Sequence, residues 1–166
     1  MQRTPWSMQQ QKQCKQVTGQ AMHCDSTWLD SVNHDFSRLY QGHAVCVAAP
    51  TDLSSLQSLL QYANQHQLPV TLRGQGLSQS GQSLAVDGGM SLDLRQLNTA
   101  VYWEGDCLVA GCGASWRDIV RLAFERGLIP YVYPYNLNLT LGGVLSVGGP
   151  GVGLIAQEGH ANTDIP

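Results

Sequence analysis

The stretch RGQGLSQSGQS, residues 73–83, follows a short apolar run and contains three glycines and three serines. Glycine lacks a Cβ atom, so it adopts positive φ readily and lets a bound group approach the backbone closely. Consecutive backbone N–H groups in such a loop can curl around an anion. Glycine and serine are also frequent in tight surface turns that bind nothing. The stretch therefore predicts either an anion-binding loop, with positive φ at Gly74 and Gly76, or a surface turn.

The elements predicted around this loop place it at the carboxyl end of a strand. Residues 44–49 predict a buried strand, Thr51 a helix N-cap, and the leucines at helical spacing in residues 52–65 an amphipathic helix. Residues 69–73 predict a second strand, and the strand–helix–strand order predicts parallel pairing. Because α/β folds bind ligands at the carboxyl ends of their strands, the loop is a candidate binding site.

The second half of the chain predicts a hairpin and a capped helix. Residues 90–94 alternate as a strand, and residues 100–103 with 107–110 predict two strands of a hairpin. Ser115 is placed to cap a helix at its N-terminus, and Gly127 follows where a glycine commonly ends one.

A second glycine cluster, TLGGVLSVGGPGVG, occupies residues 140–153. Thr140 is predicted to cap a short helical turn, with free N–H groups on Gly142 and Gly143 at its start, a position suited to anions. The alternative is close packing of glycine backbone in a buried crossing. Together, the two glycine segments favour a binding site in which they line opposite sides of one long ligand, and this is stronger support for ligand binding than either segment gives alone.

Composition excludes several classes of protein from expectation. Nine Lys and Arg against twelve Asp and Glu give a net charge of −3, without the broad basic face that nucleic acids need. The five cysteines form no CxxC pair, so neither a metal site nor a disulfide framework is expected, and their thiols are expected to be reduced. Residues 1–20 lack the apolar core of a signal peptide, and no run of about 18 apolar residues occurs. We therefore expect a cytoplasmic protein that binds no membrane.

Two nucleotide-binding motifs fit the loop less well. A dinucleotide-binding G-x-G-x-x-G fails because Gly81 comes too late after Gly76. Residues 76–83 read G-x-x-x-x-G-Q-S, a phosphate-binding P-loop in which Gln82 replaces lysine, and no helical pattern follows Ser83. A degenerate P-loop domain for ATP or GTP is kept as an alternative.

Four segments in order resemble the FAD-binding domain of FAD-linked oxidases: RGQGLSQSGQS, DGGMSLDLRQLN, GCGASWRDIVRLAFERGLIP and LTLGGVLSVGGPGVG. These are the oxidases of the vanillyl-alcohol oxidase and p-cresol methylhydroxylase (PCMH) type, and the likeness is greatest to their cytokinin-dehydrogenase-like branch. The resemblance covers residues 35–153 and implies an α+β fold, namely the first subdomain and the start of the second of a PCMH-type FAD-binding domain. Residues 1–34 are predicted to form a polar, poorly ordered arm, and residues 154–166 a divergent tail.

The resemblance also implies where FAD binds. The first loop would hold the pyrophosphate and ribityl parts of FAD, and the second glycine segment would contact the flavin. The implied residues are Arg73, Gly74, Gln75, Gly76, Leu77, Ser78, Gly81 and Gln82 in the loop, and Thr140, Gly142, Gly143, Ser146, Gly148 and Gly151 in the second segment.

Two positions depart from the family pattern. Many members bind the flavin covalently through a histidine where this chain has Leu77, so we expect non-covalent FAD. Members that oxidise amines carry an aspartate that acts as the base taking the substrate proton. This chain has Tyr135 and Asn136 there, neither of which is a base near neutral pH. We expect no amine oxidation of the cytokinin type, and the sequence identifies no catalytic residue.

The resemblance implies an oxidoreductase in which FAD takes a hydride from a small organic alcohol or amine. The sequence stops before the region where family members bind substrate, which leaves a non-catalytic flavin-binding remnant or interaction module as a further alternative. Apolar faces of an incomplete domain would need cover, so a second copy or a partner chain is expected.

Overall fold

The computed structural model describes residues 6–97, 99–149 and 152–153. The chain divides into two units, Met1–Asn98 and Thr99–Pro166. None of the helices in the described ranges has the length and apolar character that crossing a membrane requires.

The first unit is built on a three-stranded parallel sheet. Its strands are β1 (Cys46–Ala48), β2 (Val70–Arg73) and β3 (Met90–Asp93), in the order β1-β3-β2. The predicted strands and their parallel direction are confirmed. The predicted alternation in β3 is not observed, because all four of its residues are buried, as is usual for a middle strand covered on both faces.

Helices pack on both faces of this sheet. They are α1 (Met8–Thr18), α2 (Ser26–Val32) and α3 (Leu53–Gln65). Side chains of α1 and α3 share a buried cluster with Cys46 and Ala48 of β1, whereas Val47 packs against the buried residues of α2. Alternate residues of one strand therefore face two separate parts of the core.

Helix α3 begins one residue later than the sequence predicts. The N-cap is Asp52 rather than Thr51, and its carboxylate accepts hydrogen bonds from the hydroxyl of Ser54 at 2.6 Å and from the backbone N–H of Ser55 at 2.8 Å. These bonds, with a third from the Ser55 hydroxyl, lower the pKa of Asp52 to about 2.

The prediction of a poorly ordered arm is wrong for the described part of residues 1–34. Ser7 and Gln10 form a capping box at the start of α1, and Gly19, with φ of 72°, ends that helix. Cys14 and Val32 are buried in the core at 0% and 1% exposure. The predicted domain boundaries stay a prediction, and residues 154–166 lie outside the described residues.

The second unit contains the predicted hairpin and the predicted capped helix. Strands β4 (Val101–Glu104) and β5 (Cys107–Ala110) pair antiparallel, and helix α4 (Trp116–Phe124) contacts both. Ser115 caps α4, and Gly127 follows it with φ of 71°. Farther along the chain lie β6 (Val132–Tyr133), α5 (Leu141–Ser146) and β7 (Val152–Gly153), and β6 pairs with β7.

Candidate functional site

The glycine loop connects two neighbouring strands of the first sheet. It leaves the carboxyl end of β2 after Arg73 and enters β3 at Met90. The hydrogen bonding between β2 and β3 extends to the start of the loop, because the N–H of Leu94 donates to the carbonyl of Arg73 at 2.8 Å. Its position at the carboxyl end of β2 confirms the prediction from the strand order.

The side chain of Arg73 turns under the loop and is buried, at 8% exposure. One guanidinium nitrogen, Nη2, donates to the carbonyls of Ser31 at 3.2 Å and His34 at 2.8 Å. The other, Nη1, donates to the carbonyl of Val32 at 3.3 Å and to the hydroxyl of Ser83 at 3.3 Å. The guanidinium therefore ties the start of the loop to Ser83 and to the carboxyl end of α2 with the residues just after it.

Burial is the main influence on the pKa of Arg73 and lowers it from its ordinary value. The charges of Asp93 and Asp35 oppose that effect, and the charge of Arg95 adds to it. The side chain is the most basic in proteins, so it keeps its positive charge under the loop.

Two glycines of the RGQGLSQSGQS stretch adopt the left-handed conformation. Gly76 has φ of 67° and Gly81 has φ of 81°, whereas Gly74, for which positive φ is predicted, does not adopt it. A Cβ atom placed on Gly76 would overlap the guanidinium of Arg73, with Nη1 at 2.8 Å and Cζ and Nη2 closer still. Gly76 is therefore required both by its backbone conformation and by the side chain beneath it.

The first half of the loop has unused hydrogen-bond donors. Among the described residues, no hydrogen bond is donated by the backbone N–H groups of residues 74–79. An anion-binding nest needs successive unpaired N–H groups beside a left-handed residue, and residues 74–79 with Gly76 meet that requirement.

Asp35 holds the second half of the loop, and the sequence analysis did not identify it as a site residue. Its side chain is buried, at 4% exposure. One carboxylate oxygen, Oδ2, accepts from the N–H of Gly81 at 2.9 Å and from the hydroxyl of Ser78 at 3.5 Å. The other, Oδ1, accepts from the hydroxyl of Ser37 at 2.8 Å and the N–H of Arg38 at 3.1 Å.

Two opposed effects act on the pKa of Asp35. Burial alone would raise it, but the hydrogen bonds from Gly81, Ser37 and Arg38 outweigh burial and lower the pKa below its ordinary value. The carboxylate is therefore ionised at neutral pH. No local sequence signal points to this role, because Asp35 and Gly81 are 46 residues apart.

A cleft of about 450 Å³ opens beside Gly76. Its walls are the loop start, with Arg73 and Gly76, and residues of α2 and of the segment after it, including His34 and Asp35. The cleft gives a ligand access to the loop within the first unit.

The second glycine segment lacks the free donors that the sequence predicts. Thr140 caps α5 as predicted, and its hydroxyl accepts from the N–H of Gly143 at 3.3 Å. The N–H of Gly142 donates to the carbonyl of Cys112 at 2.9 Å, so neither predicted donor is free. A Cβ atom on Gly142 would lie 3.0 Å from both Cβ and the carbonyl oxygen of Cys112. This glycine serves close packing, the alternative that the sequence left open.

The remaining residues of this segment end the helix. The hydroxyl of Ser146 donates to the carbonyl of Gly142 at 2.7 Å. Gly148 has φ of 59°, and the N–H of Gly149 donates to the carbonyl of Val144 at 3.0 Å. A left-handed glycine followed by this bond is a common helix termination. Gly151 lies outside the described residues.

Comparison with known proteins identifies the family. A family model described as "FAD binding domain" matches residues 44–163. This chain belongs to the FAD-binding domain family.

Two relatives and one solved structure illustrate the match of this FAD-binding domain. An uncharacterized oxidoreductase of Rhodococcoides fascians, ORF5 in the fasciation locus, is 33% identical over 129 residues, which cover 78% of this chain and 29% of that protein. Cytokinin dehydrogenase 2 of Arabidopsis thaliana is 29% identical over 144 residues, which cover 85% of this chain and 28% of that protein. Alkyldihydroxyacetonephosphate synthase shares the fold, with a TM-score of 0.73 at 17% identity over 91% of this chain and 34% of that one.

These matches confirm the predicted resemblance to FAD-linked oxidases and the predicted fold, a mixed α/β FAD-binding domain. The chain spans less than a third of the length of the two relatives, at 29% and 28%.

The surroundings of the loop in this FAD-binding domain do not favour a P-loop. A P-loop opens a helix directly after its Ser or Thr. Here residues 84–89 form turns that lead into β3, and the hydroxyl of Ser83 lies 2.7 Å from that of Ser78. The phosphate-binding motif thus lacks both its lysine and its helix.

The remaining candidate residues of the loop and the positions that depart from the family pattern lie as follows. Leu77 is half-buried, and Gln75 and Gln82 are exposed, with the side-chain oxygen of Gln82 accepting from the N–H of Ser80 at 3.1 Å. In the second unit Tyr135 is 91% exposed. The side-chain oxygen of Asn136 accepts from the N–H of Asn138 at 3.0 Å.

Proposed function

We propose that this domain binds FAD non-covalently, with the pyrophosphate held by the backbone N–H groups of residues 74–79. The observation that carries the proposal is the run of unpaired donors beside Gly76, with the cation of Arg73 beneath it. A diphosphate needs several hydrogen-bond donors, and the loop offers unpaired backbone N–H groups for this purpose without a lysine. The residues present therefore fit the cofactor that the family implies.

Each part of the loop contributes differently to this binding. Gly76 lets the chain turn closely. The hydroxyl of Ser78 is engaged by Asp35 and Ser83, so Ser78 contributes through its backbone N–H. Arg73 is occupied by carbonyls, so its contribution is a positive potential rather than a direct contact. Leu77 offers no atom that could bond covalently to the flavin.

We further propose that the whole protein oxidises a small organic alcohol or amine. When bound, FAD supplies a ring that accepts hydride, and the protein orients it. Contact of the second glycine segment with the same FAD stays a prediction, and it would not use the N–H groups of Gly142 and Gly143 because both are bonded internally. A second copy or a partner chain also stays a prediction, tested by the mass of the purified protein in solution.

The absorbance spectrum of the purified protein tests FAD binding. We expect flavin absorbance bands in the folded protein. After denaturation we expect the flavin to pass through an ultrafiltration membrane, because it is not bonded to the chain. Colour retained on the denatured chain would contradict non-covalent binding.

Thermal unfolding separates this function from the alternatives. A ligand that binds only the folded state raises the apparent stability, so excess FAD should raise Tm. A colourless protein whose Tm does not respond to FAD would favour the non-catalytic remnant. A response to ATP with magnesium in place of FAD would return the P-loop alternative.

A further inference from the structure

Two buried side chains of opposite charge hold the glycine loop from opposite directions. Arg73 reaches from the start of the loop to the carbonyls of Ser31, Val32 and His34. Asp35, the next residue along that segment, reaches back to the end of the loop at Gly81. The loop and residues 31–38 are thus joined at both ends of residues 74–81.

Asp35 is held by neutral donors alone. Its carboxylate accepts four hydrogen bonds, and among the described residues it forms no ion pair within 4.0 Å. Burying a carboxylate is costly unless such bonds compensate, and bonds to an ionised acceptor are stronger than neutral ones. The arrangement also keeps Arg38 at φ of 54°, a conformation that residues other than glycine seldom adopt. So many constraints on one short segment indicate a fixed geometry.

The same contacts hold the chain at the end of the unpaired donors. The carbonyl of Ser78 accepts from the N–H of Phe36 at 3.2 Å, and its hydroxyl contacts Asp35 at 3.5 Å. The free N–H groups of residues 74–79 therefore lie between two fixed points, Arg73 and Gly81.

We propose that Asp35 is a positioning residue for FAD binding: by holding Ser78 and Gly81, it keeps the backbone N–H groups of residues 74–79 in the geometry that a diphosphate requires. This inference rests on the proposed function. Asp35 acts through the loop and does not touch the cofactor.

The substitution Asp35→Asn tests this role. Asparagine has nearly the shape of aspartate but only one acceptor oxygen, and its NH2 group would face donors that now bond to a carboxylate oxygen. Asp52→Asn is the control, because the exposed Asp52 accepts three hydrogen bonds in the same unit but caps α3, away from the loop's own contacts.

Two measurements are made on the full chain, well below the Tm of each variant. The Kd for FAD is obtained by flavin fluorescence titration, and deuterium uptake is measured by mass spectrometry in peptides covering residues 74–84. For Asp35→Asn we expect Kd to rise at least about tenfold and uptake to increase, because charge-assisted bonds are lost. For Asp52→Asn we expect both to stay as in the wild type, even if Tm falls.

The result that overturns the proposal is an Asp35→Asn protein with unchanged Kd and uptake, or one whose Kd rises no more than that of Asp52→Asn. If Asp35→Asn does not fold, Asp35→Glu replaces it, since it keeps the charge and displaces the carboxylate by one methylene group; a wild-type Kd and uptake in that variant would overturn the proposal equally. If the wild-type chain binds no FAD, the proposed function fails, and the uptake of residues 74–84 alone then decides whether Asp35 positions the loop.

Discussion

Replacing Gly76 with alanine is expected to destabilise the first unit more than a glycine replacement at another left-handed position. A Cβ atom on Gly76 would overlap the Arg73 guanidinium, which is tied to buried carbonyls. The left-handed conformation costs about 1–2 kcal/mol, and losing even one hydrogen bond to a charged donor adds about 1.5–3 kcal/mol. We therefore expect Gly76→Ala to lower the free energy of unfolding by about 2.5–5 kcal/mol.

Gly19→Ala separates the two contributions. Gly19 lies in the same unit with φ of 72°, and nothing lies within 4 Å of a Cβ atom placed there. This control should cost only about 1–2 kcal/mol, the conformational part. Urea unfolding followed by far-ultraviolet circular dichroism measures both variants.

A double-mutant cycle with Arg73→Ala then tests the cause directly. Without the guanidinium, Gly76→Ala should cost no more than Gly19→Ala, so the two substitutions should be far from additive. Additive effects, or a Gly76→Ala protein as stable as the Gly19→Ala control, would refute the reasoning.

Three further predictions concern other parts of the fold. The pKa of Asp52 is lowered to about 2, so its carboxylate stabilises the folded state above the unfolded pKa of about 4. This contribution is lost as pH falls from about 4 to 2. In thermal unfolding across this range, Asp52→Asn should lack that part of the decline in Tm, and a dependence of Tm on pH equal to that of the wild type would contradict the prediction. Gly142→Ala should lower the free energy of unfolding by about 1–3 kcal/mol, because its Cβ atom would lie too close to Cys112. An unchanged free energy in urea unfolding would contradict this prediction and show that Cys112 can move away at little cost. Arg126→Ala should lower the free energy of unfolding by about 0.5–1 kcal/mol, since the guanidinium of Arg126 lies 4.2 Å from the centroid of the Trp103 ring. Tryptophan fluorescence during urea unfolding measures this change, and an unchanged midpoint would show that the contact does not stabilise the fold.

Local signals in the sequence predicted local structure well. Ser115 and Gly127 were assigned to the two ends of α4, and a cap and a left-handed glycine depend only on residues within a few positions. The hairpin around Gly105 follows from the same kind of signal. The capping box of Ser7 and Gln10 is also local and was available, but the glutamine-rich composition around it obscured it.

Tertiary contacts set the limit of prediction. Whether the N–H groups of Gly142 and Gly143 are free depends partly on Cys112, thirty residues away in the sequence, and no property of the glycines reveals it. Asp35 escaped notice for the same reason, since its partners in the loop lie far along the chain. The family resemblance placed FAD at both glycine segments, whereas the N–H groups of Gly142 and Gly143 in the second segment are bonded internally.

The order β1-β3-β2 has a consequence for how the protein is made. The strand in the middle of the sheet, Met90–Asp93, is the last of the three to leave the ribosome, so the parallel pairing of either outer strand cannot form in the nascent chain before then. The glycine loop is synthesised before the ladder that fixes its ends. A ribosome-bound chain stopped short of Met90 would therefore carry the whole RGQGLSQSGQS stretch and yet lack the sheet from which it projects.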